Sequence, residues 1–168
     1  MRVLVVYHSR AGATHQLMQA VRGALEARGH RVESHRLEPV RPADYLACGW
    51  GALRRRQAPL AKDPPKSLMA YELILIAGPV WAGRTPPELN TFLDNLPDAI
   101  GRRFGVFATA GSGRADGWLR SAKNRVERAG GMIVYEDCVK RSVATKPSDC
   151  ARRAGEIVDQ LLRPSVWS

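Results

Sequence analysis

Three apolar segments of five residues each dominate the hydrophobic pattern and predict buried β-strands. They occupy residues 3–7, 73–77 and 104–108, and small or polar residues follow each of them. Strands that are apolar on both faces are typical of a parallel sheet that is covered on both sides. Alternate residues of the segment 31–37 would face opposite sides of a strand, which predicts a shorter, more exposed strand there. Residues 132–135 predict the last strand.

Helical repeats alternate with these strands. Apolar side chains recur at intervals of three and four residues from Leu17, from Leu89 and from Trp118, and again after Pro147. A proline suits the first turn of a helix, where its missing N–H is harmless, and we expect Pro97 to mark the end of the helix that contains Leu89. The alternation predicts the α/β class, in which a parallel sheet lies between two layers of helices and the crossovers are right-handed.

Residues 38–67 lack a clear repeat. They contain five prolines, two glycines and three consecutive arginines from Arg54, and they predict a long loop with one short helix near residues 42–56. Loops of this length inside a domain are usually functional or mobile. The sequence leaves open whether this segment is a lid, an interface or a disordered loop. We expect the tail after Pro164 to be frayed.

The charge balance is strongly basic. The 168 residues carry 26 Lys and Arg against 16 Asp and Glu, which gives a net charge of +10. Such a surface attracts phosphates, nucleotides, nucleic acids or acidic proteins, although a merely solubilising surface explains the charge equally well.

The cysteines and the lengths of the apolar runs bear on the location. The three cysteines include no CxxC pair, which predicts neither a disulfide framework nor a zinc site and fits a reducing cytosol. The N-terminal apolar run is too short for a signal peptide, and no segment approaches the roughly 18 apolar residues of a membrane span. We therefore expect a single cytoplasmic domain over residues 1–168, without a membrane span or a bound metal.

The loop after the first strand predicts a phosphate site. In an open α/β sheet, ligands bind at the carboxyl ends of the strands, so the strand-to-helix loops are the places to search. Residues 8–16 combine small residues with the hydroxyls of Ser9 and Thr14, the charge of Arg10 and a helix N-terminus. The alternative is an ordinary capped turn.

Two further loops suit a flat ring. In residues 78–87, Trp81 lies between glycines and prolines and could stack on a ring, the alternative being that it covers the core. Residues 109–113 expose a bare backbone suited to hydrogen bonds with a ring edge. Their glycines also suggest a dinucleotide fingerprint, which we discount because only one more strand follows. Together the three loops predict a mononucleotide with a flat ring.

The segments 3–14, 71–93 and 107–112 resemble the signatures of the flavodoxin family. The first is an apolar strand followed by a phosphate loop, the second ends its strand at Gly78-Pro79, and the third contains a Thr-Ala-Gly-Ser sequence. The resemblance implies a flavodoxin-like three-layer α/β/α sandwich with strand order 2-1-3-4-5 and a non-covalent FMN. It makes the following residues candidates for FMN binding: Ser9, Arg10, Ala11, Gly12, Ala13, Thr14, Pro79, Val80, Trp81, Ala82, Gly83, Thr109, Ala110, Gly111, Ser112 and Gly113.

One departure from the family pattern lies in the phosphate loop. Ala11 stands where the family usually has Thr, so one hydroxyl is missing. Arg10 or His15 could compensate for the missing contact. Without compensation, the affinity for FMN would be weakened or lost.

No catalytic constellation emerges from the sequence, and a flavin does not require one because it carries its own chemistry. The four histidines are scattered, and we expect each to be solvated or to cap a helix. Cys48 and Trp50 could border the site, although we expect surface positions for them.

The basic charge favours a reductase over a carrier. Carrier flavodoxins, according to the family resemblance, are acidic, which disfavours the anionic reduced flavin. A positive field would stabilise that form, raise the reduction potential and attract the phosphates of NAD(P)H. We therefore predict a two-electron reductase that passes electrons from NAD(P)H to a quinone or a similar small acceptor.

Two alternatives remain open at the level of sequence. One is a flavodoxin-type electron carrier with a redox partner protein, which would show a long-lived one-electron-reduced flavin. The other is a flavin-less basic module whose binding to an anionic partner would depend steeply on salt. We do not expect nucleic acid to be a partner, and the sequence does not indicate the oligomeric state.

Overall fold

One parallel sheet of five strands organises the molecule. The structure, a computed structural model, describes residues 1–41 and 57–163, so the helix predicted near residues 42–56 and the tail after Pro164 lie outside the described residues. The strand order β2-β1-β3-β4-β5 confirms the predicted order 2-1-3-4-5. The strands are β1 (Arg2–Tyr7), β2 (Arg31–Arg36), β3 (Leu73–Pro79), β4 (Arg103–Ala110) and β5 (Met132–Lys140).

Helices cover both faces of this sheet. On one face lie α1 (Ala13–Glu26), α4 (Arg141–Ala144) and α5 (Pro147–Leu161), and on the other lie α2 (Pro87–Asp94) and α3 (Asp116–Arg128). The arrangement is the expected three-layer flavodoxin-like sandwich. Among the described residues, no helix combines the length and the apolar character that crossing a bilayer requires.

The side chains of β1 show how the strand period divides the core. Val3, Val5 and Tyr7 pack in the cluster with α1 and α5, whereas Leu4 and Val6 pack in the cluster with α2 and α3. All five are at most 3% exposed, because alternate residues of a strand point to opposite faces and both faces are covered. Burial on both sides specifies the register of the central strands and so positions the loops at their ends.

The last strand is longer than predicted. β5 continues to Lys140 rather than ending at Tyr135. The apolar pattern stops at Glu136-Asp137, but Arg153 on α5 donates a hydrogen bond to the Asp137 carboxylate at 2.6 Å. This ion pair allows a carboxylate to lie within a half-buried edge strand. Residue patterns along the strand could not reveal a partner on another element.

Smaller differences concern β2, α2 and α4. The buried residues of β2 are Val32 and His35, so the strand does not follow the predicted alternation. Helix α2 ends at Asp94, before the proline at position 97 that we expected to mark its end. The single turn of α4 was not predicted, because four residues are too few to show a helical repeat.

His35 makes the stability of the fold dependent on pH. Its side chain is buried in β2, and burial together with the nearby charge of Lys62 lowers the pKa of its imidazole. On unfolding, the pKa returns to its ordinary value near 6.5. Below that pH the unfolded chain binds more protons than the folded one, so we expect urea titrations to give a lower free energy of unfolding at about pH 5.5 than at about pH 7.5.

Replacement of the imidazole tests this expectation. His35→Gln cannot take up a proton and should lose part of the difference between the two pH values. His30→Gln is the comparison variant: burial and the N-terminal charge also lower the pKa of His30, which is only half-buried, so this replacement should remove a smaller part of the difference. An unchanged pH dependence in His35→Gln would contradict the assignment.

Candidate functional site

Three loops lie together at the carboxyl edge of the sheet. Loop 1 comprises residues 8–12 between β1 and α1, loop 2 comprises residues 80–86 between β3 and α2, and loop 3 comprises residues 111–115 between β4 and α3. Every predicted FMN-binding residue lies in one of these loops or at a bordering strand or helix end. Pro79, Thr109 and Ala110 are strand residues rather than the loop residues that the sequence predicted.

Thr109 joins the three loops. Its hydroxyl shares a hydrogen bond of 2.7 Å with the hydroxyl of Thr14, at the start of α1. Its carbonyl accepts a hydrogen bond of 3.0 Å from the amide of Val80, in loop 2. Both threonine side chains are buried. Because Thr109 precedes loop 3, this single residue sets the separation of loops 1, 2 and 3.

Loop 1 leads into a helix N-terminus that is open to an anion. Gly12 precedes the helix with a φ of 91°, a conformation that glycine adopts without a steric penalty. The Ser9 hydroxyl accepts a hydrogen bond of 3.1 Å from the His15 amide. The Gln16 amide makes the first bond within the helix, so the amides at the first two helical positions have no partner inside it. No acidic side chain lies in this first turn.

Two arginines lie beside loop 1. Arg10 lies exposed on the loop, and Arg36 at the end of β2 donates a hydrogen bond of 2.9 Å to the carbonyl of Ser9 while its Nε lies 3.3 Å from the carboxylate of Glu38. The sequence analysis did not identify Arg36, because its approach depends on the pairing of β2 with β1. His15 directs its Nδ1 to the hydroxyl of Tyr7 at 2.7 Å, so only its other nitrogen could replace the hydroxyl missing at position 11.

Loop 2 contains a tight reverse turn. Trp81 and Arg84 exchange two backbone hydrogen bonds of 3.0 Å and 2.9 Å. The two residues between them, Ala82 and Gly83, have φ values of 48° and 74°. This is a two-residue turn with positive φ at both positions, which costs about 1 kcal/mol at an alanine. The turn presents its backbone on the surface and fixes the position of the tryptophan before it.

Trp81 is only 8% exposed and lies over a buried polar pair, as the alternative of a residue that covers the core predicts. Its indole meets the imidazole of His8 edge to face, with ring centroids 5.4 Å apart. The Nδ1 of His8 donates a hydrogen bond of 2.8 Å to the carbonyl of Leu37. Its Nε2 lies 3.7 Å from the Oε2 of Glu88 on α2, and both side chains are at most 6% exposed. Neither of these two atoms has a hydrogen-bond partner among the described residues.

The expectation that every histidine is solvated or caps a helix is wrong for His8 and His35, which are 4% and 8% exposed.

Sequence reasoning also missed the burial of Glu88. A carboxylate in the first turn of a helix is favoured by the helix dipole. A glutamate at this position is therefore ordinary and gave no reason to suspect that its side chain is buried. Its position after two prolines, beside an aromatic loop, was the one available signal.

Loop 3 is a short glycine loop on the surface. Gly111 and Ser112 are exposed, and Gly113 has a φ of 71°. A Cβ on Gly113 would lie 3.1 Å from the side chain of Lys140, at the end of β5. Loop 3 therefore presents backbone groups, as predicted, beside a lysine that the sequence analysis did not connect with it. Cys48 and Trp50 lie outside the described residues.

The arrangement fits a ligand with a phosphate. Loop 1 offers helix amides and nearby arginines, and a Cβ on Gly12 or on Gly111 would meet nothing within 4 Å, so both glycines border open space. The described part of the chain contains no cluster of three or more His, Cys, Asp or Glu that could hold a metal ion.

A comparison with protein-family models identifies the family. Residues 1–140 match the model of NADPH-dependent FMN reductases. The chain belongs to this family. The match of this FMN reductase family ends at the last residue of β5 and includes all three loops. Membership makes the chain an FMN-binding flavoprotein and supports the flavodoxin-like assignment made from its sequence.

Solved structures with the same fold are also flavoproteins or flavodoxins. A Bacteroides uniformis protein assigned as a flavoprotein is 20% identical, with a TM-score of 0.72, over 94% of this chain and 97% of its own. The two-electron-reduced flavodoxin of Megasphaera elsdenii is 19% identical, with a TM-score of 0.61, over 94% and 98%. A Lactobacillus acidophilus flavoprotein in complex with FMN is 18% identical, with a TM-score of 0.67, over 82% and 92%. At these identities the likeness concerns the fold. No curated protein sequence matches this member of the FMN reductase family.

Proposed function

We propose that the chain is a single FMN-binding domain over residues 1–168 that oxidises NAD(P)H and passes two electrons to a quinone or a similar small acceptor. The observation that carries this proposal is the joining of three loops through Thr109. It brings an anion-binding helix N-terminus, an aromatic side chain and a bare backbone to one edge of the sheet. The family match supports a nicotinamide nucleotide as the electron donor.

Each loop has a distinct role in this proposal. Loop 1 binds the phosphate through the first amides of α1 and through the charges of Arg10 and Arg36. Loop 2 and loop 3 bind the ring through the exposed turn at Ala82 and Gly83 and the backbone of Gly111, and Trp81, which is only 8% exposed, supports that turn from the interior side. Bound FMN supplies the hydride chemistry, and the protein supplies orientation and electrostatics.

The charge of the protein supports a reductase. A net charge of +10 favours an anionic reduced ring and concentrates anionic nucleotides near the surface. A carrier function is the second candidate, favoured by the likeness to the Megasphaera elsdenii flavodoxin. The family match favours either flavoprotein function over a flavin-less basic module.

Anaerobic mixing of the FMN-loaded protein with NADPH tests the proposal. After removal of unbound FMN, we expect a visible flavin spectrum that is bleached by NADPH and restored by benzoquinone. Free FMN at the same concentration is the control for the uncatalysed reaction. Stopped-flow absorbance gives the rates of both half-reactions.

Two results would contradict the reductase. A bound flavin that NADPH and NADH leave oxidised, but that dithionite converts to a long-lived one-electron-reduced form, would identify a carrier. A protein that retains no flavin after loading with excess FMN would contradict both flavin functions.

We also propose a cytoplasmic location. Cys138 and Cys150 are free thiols, as expected in a reducing compartment. The donor that the family uses is consistent with this location, because NADPH is a soluble nucleotide.

A further inference from the structure

A polar cavity of about 560 Å³ lies between loop 2 and helix α3. Its walls include the backbone of Gly83 and Gly117 and the side chains of Arg84, Arg120 and Arg128. The turn of loop 2 packs closely on α3, since a Cβ on Gly117 would lie 2.7 Å from the carbonyl oxygen of Gly83. The cavity therefore shares one wall with the turn that bears the candidate ring contacts.

One side of the cavity is a satisfied polar network. The Nε of Arg125 lies 2.8 Å from Asp94, and its side chain is 12% exposed. Its NH1 also donates a hydrogen bond of 3.0 Å to Asn90 on α2. Asp94 accepts a further bond of 3.0 Å from Gln57. The charge of Arg125 is thus balanced, and its anchoring to α2 gives the cavity a fixed boundary.

The other arginines have no such balance. Within residues 1–41 and 57–163, no carboxylate forms an ion pair with Arg84, Arg120 or Arg128. Three guanidinium groups around one polar cavity repel one another, and an anion placed between them would relieve that repulsion. Guanidinium groups also bind phosphate oxygens through paired hydrogen bonds.

We propose that this cavity binds the phosphorylated adenosine end of NADPH, with Arg84, Arg120 and Arg128 around the 2′-phosphate. The proposal rests on the proposed function, which supplies the donor. The cavity volume of about 560 Å³ lies within the usual range for small-ligand sites. Loop 2 borders the cavity and also bears candidate ring contacts at Ala82 and Gly83, so a nucleotide bound in the cavity would extend along this loop toward the flavin. Since NADH lacks the 2′-phosphate, these arginines select NADPH.

Calorimetry with nucleotide fragments tests the site without a redox reaction. The FMN-loaded protein should bind 2′,5′-ADP more tightly than 5′-AMP. In the double variant Arg120→Gln with Arg128→Gln, the dissociation constant of 2′,5′-ADP should rise about tenfold or more, because two charge-assisted contacts are lost. The KM for NADPH should rise by a similar factor, whereas kcat and the KM for NADH should stay within about twofold.

A matched double variant controls for the loss of charge. Arg31→Gln with Arg163→Gln removes two exposed positive charges from residues that do not line the cavity, and it should leave the affinity for 2′,5′-ADP within about twofold. An FMN titration confirms that each variant keeps its fold.

The outcomes separate this site from the proposed function. If the cavity variant binds 2′,5′-ADP as the natural protein does while NADPH still reduces the flavin, the cavity assignment is overturned and the reductase stands. If 2′,5′-ADP binding depends on these arginines but NADPH does not reduce the flavin, the reductase is overturned and the cavity remains a site for phosphorylated nucleotides.

Discussion

Ala11→Asp should weaken FMN binding by about a hundredfold. Ala11 is exposed on loop 1, directly before the N-terminus of α1. A carboxylate on loop 1 would repel a phosphate bound there: two unit charges about 6 Å apart interact by about 2.8 kcal/mol at an effective dielectric constant near 20, which is about two decades in affinity. Titration of FMN by the quenching of its fluorescence measures the dissociation constant.

Ala11→Asn is the matched control, because it has almost the same size as the aspartate and no charge. Its affinity for FMN should stay within about fivefold of the natural protein. Ala11→Thr restores the hydroxyl that the family usually has and should tighten binding by about tenfold, as one hydrogen bond to a charged group would. Equal affinities of the Asp and Asn variants would place the phosphate somewhere other than loop 1.

Patterns along the chain were sufficient to predict the sheet. Buried parallel strands are apolar at consecutive positions, so Val3–Tyr7 and its two counterparts were visible without a partner strand. The loops were visible for the same reason, since the glycines and hydroxyls that a phosphate needs lie next to one another in sequence. The alternation of strands and helices then placed all three loops at one edge.

The contacts that connect these loops were not visible, because they join distant parts of the chain. Thr14 and Thr109 bond to each other across 95 positions, and Arg36 reaches Ser9 across 27. The arginines of the cavity become neighbours only when loop 2 packs on α3. Residue types predicted where a ligand binds, whereas the charges around it depend on the packing of elements.

Glu88 is the clearest example of a charged residue whose surroundings depend on the packing of elements, and its replacement should have the largest effect on stability. Glu88→Ala should lower the free energy of unfolding by about 2–4 kcal/mol, because it empties buried space and leaves the Nε2 of His8 buried without a polar neighbour. The remaining partner is His8, which is 4% exposed and keeps only the Leu37 carbonyl as a hydrogen-bond acceptor. Urea unfolding followed by tryptophan fluorescence measures the change.

Glu88→Gln separates the charge from the shape of the side chain. The amide fills the same space and can still donate or accept a hydrogen bond, so we expect a loss of about 1–2 kcal/mol. A Glu88→Gln variant as unstable as Glu88→Ala would show that the negative charge itself stabilises His8. A Glu88→Ala variant with the same free energy of unfolding as the natural protein would show that the His8–Glu88 pair does not contribute to stability.

A double-mutant cycle measures the coupling directly. If the imidazole and the carboxylate stabilise each other, His8→Leu with Glu88→Leu should be less destabilised than the sum of the single variants, by about 1–3 kcal/mol. An apolar pair leaves neither group buried without a partner, which is why the double variant recovers stability. Strict additivity would mean that the approach of the His8 Nε2 to the Glu88 Oε2 at 3.7 Å contributes nothing to the free energy of unfolding. Because Trp81 lies against the His8 ring, the same variants should also change its fluorescence before unfolding begins.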